Sequence, residues 1–150
     1  MTDEEIDAME AGQELDLLVA KLVMGWRNLE YRPGRNDGRS FSPQGHYGEG
    51  PDGSCYLTHG YSTNIASAWL VVEKIDGLNF VLSVELATIR KGRRGCHVII
   101  GRRIPNRAPL CEHITVQAET FPLAICRAAL KCCKDVAGKN EGAKKAPVNS

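Results

Sequence analysis

Two kinds of hydrophobic pattern alternate along this chain, and between Tyr61 and Leu86 they stand side by side. Ile65, Ala68, Trp69, Val72 and Ile75 fall three or four apart, which puts them on one face of a helix. Ser62 or Thr63 supplies the cap, because a hydroxyl oxygen accepts a first-turn N–H that has no intrahelical partner. Gly77 stops the helix, since glycine enters the left-handed region without a Cβ clash. After that turn Phe80, Leu82, Val84 and Leu86 alternate with Ser83 and Glu85, the period of a half-buried strand.

The same reading places other elements on either side. Leu15, Leu18, Val19, Leu22 and Val23 form a helical face from Gln13 to Met24, ended by Gly25, and the run from Trp26 through Leu29 to Tyr31 suits a short strand. CHVIIG (Cys96 to Gly101) and HITVQA (His113 to Ala118) are two further strands, forming an antiparallel meander with the strand that begins at Phe80. A last helix starts at Thr120 with Pro122 in its first turn, carries Leu123, Cys126, Leu130 and Cys133 as its buried stripe with Ala129 and Val136 beside it, and stops at Gly138. Residues 32–60 are rich in Gly, Pro, Ser, Asn and Asp, with turns at Asn36-Asp37-Gly38 and Pro51-Asp52-Gly53, so they read as a long partly ordered loop facing a ligand or partner. The expected fold is α/β, an alpha-beta-alpha sandwich whose mainly antiparallel sheet is flanked by three helices. One domain spans residues 13–138, between a disordered N-terminus at 1–12 and a disordered tail at 139–150.

Composition adds little to this picture. The chain has 150 residues, 43% hydrophobic and 25% charged, with a net charge of +1, which suits one domain and carries no bulk attraction to nucleic acid or membrane. No apolar run is long enough to span a bilayer, and the acidic N-terminus lacks the order of a signal peptide, so we expect a protein of the host-cell cytoplasm with no membrane partner. The six cysteines are then free thiols, those on the last helix being small core residues.

Three segments taken together, ELDLLVAKLVMGW (Glu14 to Trp26), YSTNIASAWLVVEKI (Tyr61 to Ile75) and AETFPLAICRAALK (Ala118 to Lys131), resemble the start, middle and end of the phage ABA sandwich domain family, found in small phage and prophage proteins. The resemblance implies a layered alpha-beta-alpha fold and a phage origin, and supplies no catalytic motif. The chain departs from the family pattern at Asn64, where Asp is common, and in loops richer in arginine.

Those arginines are the main chemical lead. Arg90, Lys91, Arg93, Arg94, Arg102, Arg103 and Arg107 fall in a stretch without an acid, and a guanidinium fork suits phosphate. With Cys96 to Ile100 as a strand they form two patches, about five residues apart at roughly 3.3 Å each. Solvated hairpin tips that blunt sheet edges explain the same charges. The aromatic loop adds Phe41, Tyr47, Tyr56 and Tyr61 with His46 and His59, rings able to stack on a base or to pin the loop to the core. Cys96-His97 and Cys111-x-His113 make a poor metal site, because neighbouring strand residues point to opposite faces, and a Cys111–His113 dyad has no orienting third group. We therefore expect a non-enzymatic protein without cofactor. Its ligand set is Arg90, Arg93, Arg94, Arg102, Arg103, Tyr47, His59, Tyr61 and Ser62, where the last lies at a helix N-terminus that favours anions. It would bind an anionic small molecule, a nucleotide, as a homo-oligomer acting as a sponge for cyclic nucleotide immune signals. The alternative is binding of nucleic acid or a host protein through the arginine-rich hairpin tips.

Overall fold

The computed structural model describes residues 1–36, 41–57, 60–77, 80–89, 93–102 and 113–143. Its elements are α1 (Asp3–Ala8), α2 (Gln13–Val19) continued by a π-helical turn (Ala20–Met24), β1 (Arg27–Arg32), β2 (Arg35–Asn36), β3 (Phe41–Ser42), β4 (Gly45–Glu49), α3 (Ile65–Asp76), β5 (Phe80–Ile89), β6 (Arg93–Arg102), β7 (His113–Ala118) and α4 (Phe121–Ala143). Every strand pairing is antiparallel: β5–β6–β7 in one sheet, with β1–β4 and β2–β3 as small two-stranded sheets. The α/β sandwich with a mainly antiparallel sheet is thus the observed architecture.

Val98 stands opposite Val116, and Ile100 opposite Ile114, so these residues point to one face of the large sheet. That face is the buried one. There α4 packs against β6 and β7, and α3 packs against β5 and α4. Ser83, Glu85, Thr115 and Gln117 on the opposite face are exposed. A further layer, α1 and α2, lies against α4. As a result α4 is buried almost all round: Leu123, Ala124, Ile125, Cys126, Ala128, Ala129, Leu130 and Cys132 are all in the core, which is wider than the single stripe the spacing suggests. Thr120 opens this helix as expected, its Oγ1 accepting the Leu123 N–H at 3.5 Å, but Gly138 does not close it.

Residues 1–12 depart from the expected disorder. Thr2 and Glu5 form a reciprocal capping box that starts α1, and Ile6 is completely buried. On α4 the cations Arg127, Lys131 and Lys134 lie three and four apart and meet this helix: Arg127 Nε donates to the Met9 carbonyl at 3.0 Å, Lys131 Nζ pairs with Asp7 at 2.8 Å, and Lys134 pairs with Asp3. The acidic N-terminus is therefore the counter-surface of a basic helical stripe, which is why α1 forms as a fourth helix beside the three expected.

Two helical faces are also rotated relative to the spacing. In α2 the wider π turn carries the buried line onto Leu15, Val19, Ala20 and Val23 and leaves Leu22 53% exposed, before Gly25 at φ 83° ends the element. In α3 the core takes Ala68, Val71 and Ile75, while Ile65 and Trp69 are 55% and 54% exposed. The cap of α3 is Asn64, whose Oδ1 accepts from the Ala66 and Ser67 N–H groups at 2.8 and 3.2 Å, in place of Ser62 or Thr63. Gly77 closes the helix in right-handed geometry, at φ −60°.

Candidate functional site

The long loop read from residues 32–60 is built around β4. Gly45 and Gly48 are tied to close approaches: a Cβ on Gly45 would stand 2.7 Å from the Tyr56 ring, and one on Gly48 would stand 2.6 Å from the Arg27 carbonyl. With those contacts the Tyr47 and Tyr56 rings lie 4.8 Å apart, the Tyr47 hydroxyl donates to the Pro43 carbonyl at 2.7 Å, and the Tyr56 hydroxyl donates to the Gln44 carbonyl at 3.0 Å. The turn at Pro51-Asp52-Gly53 closes as expected, Gly53 N–H donating to the Gly50 carbonyl at 3.1 Å. Both tyrosines thus brace the loop while keeping part of each ring at the surface.

On one side of β4 lies a cleft of about 410 Å³ lined by Asn28, Glu30, Arg32, Tyr47, Glu49 and Cys55. The Arg32 guanidinium sits 5.2 Å from the centre of the Tyr47 ring, a cation–π stack, and its Nε donates to Glu30 at 2.7 Å. β1 bulges here: Asn28 is the one non-glycine residue with positive φ among the described residues, at 53°, and its Nδ2 donates to Glu49 at 3.1 Å. Glu49 also pairs with Arg27 at 3.4 Å. The cleft therefore offers an aromatic face, a stacked guanidinium and carboxylates that accept N–H donors. That set suits a planar heterocycle carrying both donors and negative charge.

On the other side, between β4 and the start of α2, lies a cleft of about 390 Å³ lined by Gln13, Asp16, His46, Tyr56 and Thr63 among others. Gln13 Nε2 meets His46 Nδ1 at 3.1 Å, and the half-hidden His46 ring packs edge-on to Tyr31 at 5.4 Å. The buried Asp16 carboxylate accepts the Ser62 N–H at 2.6 Å, and Ser62 Oγ accepts the Gly12 N–H at 2.9 Å. No lysine or arginine is among the described lining residues to offset Asp16, whereas the cleft at Tyr47 sets Arg32 beside its two carboxylates.

The residues singled out from sequence separate into three groups. Tyr47 lies at the larger cleft. Tyr61 and Ser62 are 1% and 0% exposed: the Tyr61 ring belongs to the core, where burial pushes its phenol above the usual range, and Ser62 joins α3 to α2. Neither side chain is at the protein surface. Arg93, Arg94 and Arg102 lie within β6, which is longer than the strand expected at Cys96 to Ile100. Nine residues at about 3.3 Å each then put Arg93 and Arg102 roughly 30 Å apart. Arg90, His59 and Arg103 lie outside the described residues, as do Lys91, Arg107 and Cys111. Arg32, Glu30, Asn28 and Glu49 were not singled out. The apolar-aromatic run from Trp26 to Tyr31 pointed to the strand that carries Asn28, Glu30 and Arg32, but nothing in it marked the bulge at Asn28, and Glu49 lies on β4.

None of the five described cysteines forms a disulfide with another described residue, and burial raises the thiol pKa of Cys96, Cys126 and Cys133. Among the described residues no group of three or more His, Cys, Asp and Glu side chains is placed to hold a metal ion, and no helix is long and apolar enough to cross a membrane.

In comparison with known proteins, the model of the phage ABA sandwich domain matches residues 17–130. No curated protein and no solved structure matches the chain.

Proposed function

This chain belongs to the phage ABA sandwich domain family, and from that premise we propose that it is a non-enzymatic phage protein that binds and sequesters a phosphorylated small ligand of the nucleotide class, as a sponge for cyclic nucleotide immune signals. The observation that carries the reading is the Arg32–Tyr47 stack beside a cleft of about 410 Å³. That volume lies in the usual range for small-molecule sites, roughly 300–1,000 Å³. A base laid on the Arg32 guanidinium extends the Arg32–Tyr47 stack, its exocyclic N–H groups meet Glu30 and Glu49, and the in-plane N–H groups of the Arg32 fork reach a phosphate.

Thermal denaturation with a panel of cyclic di- and oligonucleotides tests it. A ligand at about 100 times its Kd adds roughly 2.7 kcal/mol, a rise in Tm of about 5–10 °C for a chain of this size. Tyr47→Ala and Arg32→Ala abolish that rise, and Tyr47→Phe keeps it, because stacking survives loss of the hydroxyl. A folded protein that no member of the panel stabilises overturns the reading.

A second reading is favoured by the length of β6. Arginines roughly 30 Å apart suit separate phosphates along one extended polyanion better than a single small molecule. Nucleic acid bound this way loses affinity steeply as salt rises, through counterion release. A host protein docking at the same tips shows no such dependence on phosphate.

A further inference from the structure

We propose that the outer face of α3 and the free edge of β5 together form a two-fold interface with a second copy of this chain. On α3 the residues turned toward α4 and the sheet are Ala68, Val71 and Ile75, and the flank beside β5 leaves Trp69 and Ile65 more than half exposed. Continuous with them is a shallow groove of about 280 Å³ lined by Trp69, Val72, Phe80 and Leu82, with Glu73 and Asp76 at its end. A tryptophan, an isoleucine and a groove in one strip are more apolar surface than scattered single residues account for. Directly beside it runs β5, which pairs only with β6 among the described residues and so stands at the edge of its sheet.

The geometry favours a copy of the same chain as the occupant. An edge strand repeated antiparallel across a two-fold axis satisfies its own unpaired backbone groups, giving a six-stranded sheet with α3 against α3. Residues of equal parity must oppose one another, so Phe80 and Leu82 of both copies stay on the helix-covered side. The helices then run antiparallel, and the acidic end of one, Glu73 and Asp76, approaches the electropositive start of the other near Asn64. Ten residues make β5 about 33 Å long, and a helix of about 10 Å diameter seated on it makes a strip of about 330 Å². A standard interface uses about 800 Å² on each side, so the dimer is a weak one that forms as concentration rises.

Sedimentation equilibrium on the full chain, read together with tryptophan fluorescence, tests the assignment. The expected result is a dimer whose Trp69 emission shifts to shorter wavelength as concentration rises, while Trp26, already buried, contributes a constant background. Trp69→Glu and, independently, Ile65→Glu raise the dissociation constant at least tenfold without lowering Tm at monomeric concentrations, since neither side chain is part of the core. A monomer at every concentration overturns the proposal, leaving the strip to a different partner. A dimer that survives both substitutions also overturns it, because the copies then meet elsewhere. Neither result bears on nucleotide binding at Tyr47, so failure of one proposal is distinguishable from failure of the other.

Discussion

Asn64 shows what one side chain contributes here. Its Oδ1 takes both first-turn N–H groups of α3, and no other side chain caps that end. Asn64→Ala should cost about 1 kcal/mol, seen as a lower urea midpoint at unchanged slope. Asn64→Asp keeps the cap and adds a charge that the helix dipole favours, so its midpoint should not fall. Ser62, Thr63 and Asn64 are all good caps, and spacing alone does not rank them. The choice is made by the turn before the helix, where the Thr63 and Asn64 N–H groups both meet the Gly60 carbonyl. Ser62 is thereby left one step too early and turned toward Gly12 and Asp16.

At the scale of elements, local pattern located helices and strands well and helical faces less well. β7 and the meander read directly from alternation, because a period of two leaves no choice of face once one side is buried. On α3, Trp69 fits the three-and-four spacing as well as Val71 does, and only the position of α4 decides between them. The π turn after α2 has no signature in LVAKLVM, so the exposure of Leu22 was not legible. At the cleft beside Tyr47 that residue was legible as an aromatic in a glycine-rich loop, whereas Asn28 and Arg32 depend on a strand bulge. For α1 the signal was present but split between the chain's two ends, acids at Asp3 and Asp7 and bases at Lys131 and Lys134. That pairing sets a pH dependence. The hydrogen bond from Lys134 holds the Asp3 carboxyl below its ordinary value. A depressed carboxylate stabilises the folded state at neutral pH, and the contribution is lost as pH falls below about 4. The methyl resonances of Ile6 should report loosening of α1 over that range, and Asp3→Asn should show the loosened signals already at pH 7.

For the molecule as a whole, α4 is the centre: the large sheet lies on one side, α1 and α2 on another, and α3 beside it. Lys131 is nearly fully buried within this assembly and pairs with Asp7, so the outermost layer is held by ion pairs as well as by Ile6. Layers of this kind are added in an order. β5, β6 and β7 are neighbours in sequence and form the sheet by local closures, whereas the contact of Lys134 with Asp3 joins residues 131 apart. Closing so long a segment costs entropy before any contact rewards it, which places α1 docking late on the folding route. Ile6→Ala, a loss of about 3 kcal/mol, should then leave the refolding rate almost unchanged and accelerate unfolding roughly 100-fold, measurable by stopped-flow fluorescence. The short acidic helix is in this sense a latch: it contributes little to how fast the molecule assembles and much to how long it stays assembled.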